Sequence, residues 1–386
     1  MAMTAGSHES PAEAVASIVK PKLDEGRRDA PPITVNGFGI FRFALAATVL
    51  WMHYEKLAFG HPTRTLIEPF EIGSIAVLVF FVLSGYVISN AIDVHYEGRP
   101  GAFLVNRFYR IAPTFYAVLL LSVIVLAPVA AAGLLTDGEG NAVSPRAFSL
   151  ANLAKNVLEI VPLSHKVAPA EYSFIPIFWA VRIELMFYLA AAACIFVAAT
   201  LGTRFVRIGF VVGALAIGLG AVESTTEIFG FPTFRLAPHF ALGAALYYLR
   251  RSPSGASALL AAAGLAAVML DIFSRELVHA TSGFERNLEG QALLLLTALG
   301  VFAVLVYRGP RRSAVADYLG ALSYPVYLAH ILPLHLAASF GAIQSPSWSW
   351  LVPAAAAALV LAVLIERFVE VPAARLRAKV RRPPHL

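Results

Sequence analysis

Residues 37–57 read GFGIFRFALAATVLWMHYEKL. Between Phe38 and Met52 the only charged residue is Arg42, and the apolar residues form a run rather than a pattern with a polar residue at every turn. A run of about 20 apolar residues is long enough to cross the hydrocarbon of a bilayer as a helix. This stretch therefore reads as a membrane span with two guests, Arg42 and His53. At roughly 100° per residue the two are separated by about three turns and 20°, so they share one helix face, about 16 Å apart along the axis.

Working outward, the rest of the chain repeats this pattern. Of its 386 residues 58% are hydrophobic and 14% charged, against about 25% charged in ordinary soluble domains. About ten segments qualify as spans, near 38–58, 70–92, 108–135, 173–200, 205–223, 233–249, 255–273, 289–307, 317–340 and 347–368. The expected fold is an all-α integral membrane bundle of about ten helices. With the N-terminus inside, the groups Arg107/Arg110, Arg204/Arg207, Arg250/Arg251, Arg308/Arg311/Arg312 and the basic C-terminal residues all fall on the cytoplasmic side. That asymmetry predicts both termini cytoplasmic. The net charge of +6 is thus a product of membrane topology, and no nucleic acid partner is expected. Residues 1–34 are polar, rich in proline and without a cleavable signal, and read as a flexible cytoplasmic tail. Residues 35–370 form the transmembrane domain and 371–386 a basic cytoplasmic tail. The single cysteine, Cys194, lies in an apolar run and suits packing. No Cys/His spacing points to a metal.

Ionisable groups inside spans are costly and mark functional sites or ion pairs. The stretch 80–90, FFVLSGYVISN, interrupts bulky residues with Ser84-Gly85, which serves either close helix packing or close ligand approach. In 178–188, FWAVRIELMFY, Arg182 and Glu184 are two apart and do not face each other, so each needs its own partner. In 319–335, LGALSYPVYLAHILPLH, Tyr324, Tyr327 and His330 recur every three residues as a polar stripe. Pro325 and Pro333 bend that backbone, and His335 lies near the outer end. The long segment 136–172, with Asp137, Glu139, Glu159, His165 and Glu171, reads either as a solvated cap or as a lid over an outward-facing site.

These segments, in this order, resemble the acyltransferase 3 family of membrane O-acyltransferases. Arg42 and His53 keep the Arg-x10-His spacing of its first span. Phe80, Phe81, Ser84 and Gly85 look like its FF-x-x-SG segment, and Arg107 and Arg110 like the R-x-x-R that precedes its third span. Trp179, Glu184, Phe187 and Tyr188 are similar to its W-x4-E-x-x-FY pattern. Ser323, Tyr324, Tyr327, Leu328 and His330 are similar to its SY-x-x-YL-x-H, and Glu366-Arg367 to its closing pair. Two positions differ: Gly39 stands where the family often has Asp, and Arg182 where it commonly has a small or polar residue. Nothing after the last span resembles the SGNH-type domain of some relatives, so that second activity is not expected.

The resemblance implies transfer of an acyl group, most often acetyl, from cytoplasmic acyl-CoA to a hydroxyl of a surface glycan, a glycolipid or a related glycosylated acceptor, in a bacterial inner membrane. Acyl-CoA, with acetyl-CoA the expected form, would be a co-substrate, with no tightly bound cofactor. Arg42, Arg107 and Arg110, with Ser84 and Gly85, would hold the donor. Arginine forks suit its phosphates. His53 would act as general base or carry the acyl group itself, and both routes stay open. Glu184 would orient the imidazole or raise its basicity, with Tyr188, Tyr324, Tyr327 and His330 around them. Two other classes compete. Broken helices and intramembrane charges also suit a glycan or lipid transporter or flippase, although no internal repeat is visible. A receptor or scaffold without chemistry has no use for the Arg-x10-His stripe.

Overall fold

The computed structural model describes residues 38–60, 68–137, 140–167, 169–228, 232–279, 287–308 and 313–381. The expected tail 1–34, the last residues 382–386, Glu139 and the side chain of His165 lie outside the described residues.

The described chain is helical, and its only strand-like pairing is an isolated bridge between Thr136 and Ala142. In chain order the helices are α1 (Gly39–Phe59), α2 (Ile72–Ala91), α3 (Pro100–Ala131), α4 (Leu150–Leu158), α5 (Phe178–Thr200), α6 (Phe205–Thr226), α7 (Pro232–Arg251), α8 (Gly255–His279), α9 (Leu288–Arg308), α10 (Ala314–Ala329), α11 (Ile331–Ser339), α12 (Trp348–Ile365) and α13 (Val371–Val380). Among the described residues eight segments are long and apolar enough to cross a membrane, so the chain is a multi-pass membrane protein. The two remaining expected spans are α1, 21 residues long, and α7, 20 residues long. Both carry several charged residues, such as Arg42 and Lys56 in α1 and Arg235 and Arg250 in α7. Lipid would not tolerate them exposed, and both helices pack against several neighbours.

α1 is packed between α2, α10 and α12, and α2 in turn between α1, α7 and α9. The α2 and α10–α11 spans are mostly buried in the bundle, whereas α6 is mostly exposed. Exposed side chains along the outer helices are apolar, among them Leu120, Ile124, Phe196, Val211, Leu215, Leu293 and Val360, as a lipid-facing surface requires. Two crossings depend on glycine. At Gly39, Ala316 and Gly320 the backbones of α1 and α10 touch. At Gly85 and Gly243 those of α2 and α7 do the same, against Phe240 and Val82. In a membrane, where no hydrophobic drive brings helices together, small residues let backbones approach and gain dispersion contacts.

Three features differ from the sequence reading. The third span begins at Pro100 rather than near 108, so Arg107 and Arg110 lie inside helix α3 and not ahead of it. Proline at the first helical position explains the early start, since its missing N–H is one the helix would leave unpaired anyway. The ninth span is two helices meeting at His330, because Pro333 cannot donate to the carbonyl four residues back. The basic segment after the last span is also helical from Val371 to Val380. It follows a π-helical turn at Glu366–Glu370 and packs along α3.

The described residues of segment 136–172 form a cap whose backbone is tied together by two asparagines. Asn152 accepts from the N–H groups of Glu171 and Tyr172 and donates to the carbonyls of Ala147 and Tyr172. Asn156 accepts from Phe174 N–H and donates to the carbonyls of Asn152 and Tyr172. Both side chains are buried, so these bonds satisfy backbone groups that no helix or sheet would.

Candidate functional site

The site is built on the inward faces of α1, α2, α3, α5 and α10. His53 projects from α1, and its Nδ1 lies 2.9 Å from the Val49 carbonyl oxygen one turn back. A carbonyl oxygen only accepts, so the proton of the neutral ring sits on Nδ1 and the basic electron pair on Nε2. His330 repeats the arrangement, with Nδ1 3.1 Å from the Val326 carbonyl. Its Nε2 therefore has the lone pair, and it lies 3.2 Å from His53 Nδ1. The two rings are 5.1 Å apart at their centroids. The His53 Nδ1–H is thus shared between a carbonyl and a second imidazole, and His330, fully buried, is the group that faces it.

The break in the ninth span serves this pair. At the α10–α11 junction the His330 carbonyl accepts from Tyr54 Oη at 2.6 Å, while the helical donor, Leu334 N–H, reaches it only at 3.4 Å. Tyr54, the neighbour of His53, thus ties α1 to the junction that carries His330.

The charged part of the site belongs to α1, α3, α5 and the turn after α12. Arg110 Nη1 pairs with Glu370 Oε2 at 2.9 Å, and Thr114 Oγ1 donates to Glu370 Oε1 at 2.6 Å. The Arg110 guanidinium also lies over the Tyr324 ring, 5.1 Å from its centroid. Arg107 lies over Phe103 and Tyr188, at 5.2 and 5.5 Å. Glu184 Oε1 accepts from Tyr188 Oη at 2.6 Å and from Ser84 Oγ at 3.2 Å. Arg42 has Arg110, Glu184, Tyr188 and Glu370 as its electrostatic neighbours.

The predicted stripe joins the two parts. Tyr324 lies under Arg110, while the Tyr327 ring is 6.3 Å from that of His330 and has Glu184 in its electrostatic surroundings. Their hydroxyls donate to backbone carbonyls, Tyr324 to Ile111 at 3.2 Å and Tyr327 to Ile177 at 2.9 Å. Gly85 lies against the α7 backbone, where it serves helix packing. Arg182 and Glu184 do take different partners: Arg182 pairs with Glu159 of the cap at 3.6 Å. At the cap end, Tyr172 Oη lies 2.9 Å from His335 Nδ1. Burial and the nearby charge of Asp137 push the Tyr172 phenol up from its usual range. Burial also raises the Glu159 carboxyl, against the opposing pull of Arg182 and the Ser173 hydroxyl.

Most of the residues singled out in the sequence thus gather in one region, whereas Gly85 packs against α7 and Arg182 and His335 face the cap. Those the sequence missed are Tyr54, Thr114 and Glu370. Glu370 had a signal, as an acidic residue in the basic run that follows the last span, but the closing motif pair ends three residues earlier at Arg367. The π turn rotates the chain so that Glu370 is buried and faces α3, while Arg367 is exposed. π turns inside helices are frequent at functional sites.

A model of the acyltransferase 3 family, described as an acyltransferase domain, matches residues 35–367. No curated protein and no solved structure matches the chain.

Proposed function

The chain belongs to the acyltransferase 3 family, and from that premise we propose that it moves an acyl group, acetyl as the first choice, from cytoplasmic acyl-CoA to a hydroxyl of an exported or surface glycan or related glycosylated acceptor. The observation that carries this reading is one continuous polar stripe, with arginines at one end and a paired imidazole at the other. The basic clusters orient the arginine end to the cytoplasm, with both termini on that side of a bacterial inner membrane. Arg42, Arg107 and Arg110 receive the donor's phosphates, and the thioester extends along Tyr324 and Tyr327 toward His53.

The tautomer defines what His53 does. As general base, Nε2 takes the proton of the acceptor hydroxyl while its oxygen attacks the thioester carbonyl. The tetrahedral intermediate then expels the CoA thiolate, which recovers the proton from the imidazolium. In the covalent route Nε2 attacks the carbonyl and CoA leaves as thiolate. The acylated ring sheds its Nδ1 proton to His330 Nε2, and the acceptor oxygen then displaces the acyl group from Nε2, its hydroxyl proton passing to the CoA thiolate while His330 returns the Nδ1 proton to the departing imidazole. In the first route His330 keeps the proton on Nδ1 and shares the positive charge of the imidazolium, and in the second it holds that proton until the acyl group has left.

The test is His53→Ala in membranes, with labelled acyl-CoA and a panel of glycan acceptors. Loss of a general base is expected to lower turnover by about a hundredfold or more. A folded variant with full activity removes the assignment. Acceptor movement without consumption of the CoA ester would favour a transporter instead. Rapid quenching of wild type with labelled donor alone separates the two routes, since only the covalent one leaves label on the protein.

A further inference from the structure

The charged end of the stripe holds more cation than its carboxylates balance. Arg107 and Arg110 come from α3 and Arg377 from α13. The carboxylate set among them, Glu370, is already engaged: Oε2 lies 2.9 Å from Arg110 and 3.8 Å from Arg377, and Oε1 accepts from Thr114. Around Arg377 the electrostatic neighbours are Arg110, Arg107 and Arg381 against Glu370 alone. The Nε atoms of both Arg107 and Arg377 are buried without a hydrogen-bond partner among the described residues. Like charges gathered at low dielectric repel strongly, and a buried N–H left unpaired is costly. Both costs vanish when a polyanion sits between the forks. α13 is not loosely attached either. Asn106 donates to the Arg377 carbonyl at 3.2 Å and Arg99 to that of Val380 at 3.4 Å, so the helix is held against α3 and Arg377 is fixed beside Arg107.

We propose that α13 is one wall of a phosphate site, and that Arg377 joins Arg107 and Arg110 in clamping the phosphate groups at the nucleotide end of the donor. The proposal rests on the acyl-CoA reading given above and adds to it an element outside the segments that carry the family resemblance. Guanidinium forks offer phosphate oxygens paired donors that ammonium groups lack. An anionic lipid headgroup presents the same chemistry, and the experiment separates the two sources.

Full-length protein in nanodiscs of neutral lipid is titrated with CoA, dephospho-CoA and pantetheine, without acceptor. Wild type is expected to bind them in that order of decreasing affinity. Arg377→Gln is expected to weaken CoA binding by roughly tenfold or more, the loss of a charge-assisted bond, and to leave pantetheine unchanged, with Arg377→Lys in between. In turnover the same variant raises KM for the donor with kcat retained, as loss of uniform binding does. A folded R377Q that binds CoA as tightly as wild type overturns the proposal and leaves the acyl-transfer reading intact. Wild type that binds no CoA removes both. If R377Q loses retention of phosphatidylglycerol but not affinity for CoA, the site belongs to lipid and the proposal fails. Hydrogen exchange on wild type gives a reading independent of any variant. Slower exchange of α13 amides with CoA but not with pantetheine supports the wall, and identical exchange rules it out.

Discussion

At the residue scale, the pair His53–His330 is the feature with the sharpest consequence. A hydrogen bond to a charged group contributes about 1.5–3 kcal/mol, which is about tenfold to a hundredfold in rate. His330→Ala is expected to lower kcat by that factor while KM for the donor stays near wild type, because the arginine end of the stripe is untouched. His330→Gln, whose side-chain oxygen can accept from Nδ1–H, should recover part of the loss. A pH–rate profile gives a readout that packing alone would not move. With the partner gone, the apparent base should shift by a measurable fraction of a pH unit, and an unchanged profile in a slow but folded variant would assign His330 to packing alone. Much of this site was legible beforehand: Arg42 and His53 share a helix face by spacing, and Tyr324, Tyr327 and His330 by their period of three. That His330 meets His53 was not legible, because the contact joins residues far apart in the chain, across a helix crossing that no local period encodes. Glu370 escaped for a different reason, since the π turn shifts the face that an α-helical count would assign.

At the element scale, the cap between α3 and α5 is the segment whose chemistry lies outside the spans. The sequence left it open between a solvated cover and a lid, since polar composition fits both. Asn152 and Asn156 settle its order by bonding its backbone. Glu159 links it to α5 through Arg182. The folded cap holds the Glu159 carboxyl above its ordinary value of 4.5, chiefly through burial. A raised carboxyl pKa means that the folded state binds the proton more tightly than the unfolded one. Its contribution is therefore present in full below about pH 4.5 and is lost as pH rises through the raised value. Protection of the 150–158 amides, taken relative to their intrinsic exchange rates at each pH, should rise as pH falls through the raised Glu159 value, and Glu159→Gln should remove most of that dependence. A dependence that persists in full in E159Q would assign it to another group. The elements themselves were the most legible part of the molecule, because a run of apolar residues the length of a bilayer has few other readings. Their ends were less so: α3 starts early because Pro100 lacks only an N–H that a first helical position leaves unpaired, and the break at His330 comes from Pro333, which cannot donate to the carbonyl four residues back.

At the scale of the whole molecule, polarity is graded from the middle outward. α2 and the broken α10–α11 span are enclosed by their neighbours, and α6 is largely exposed with apolar side chains. The charged α1 and α7 both pack against the enclosed α2. This gradient lets a hydrocarbon-embedded protein hold arginines and imidazoles near its centre without exposing them to lipid. The backbone touch between Gly39 and Gly320 belongs to the same scale, because it sets how α1 leans on α10. His53 and Gly39 are the far and near ends of a rod about 21 Å long. A bulky residue at 39 would act as a wedge beneath one end of that rod, with Tyr54 and the His330 junction as its distant hinge. Gly39→Leu should therefore depress turnover without touching any reacting group, and compensating loss of bulk across the crossing is no longer available, since residue 320 is already glycine. Should G39L turn over like wild type, the rod is not rigid. If it does not, turnover in this bundle is tuned by leverage from the Gly39 end of α1, where it crosses α10.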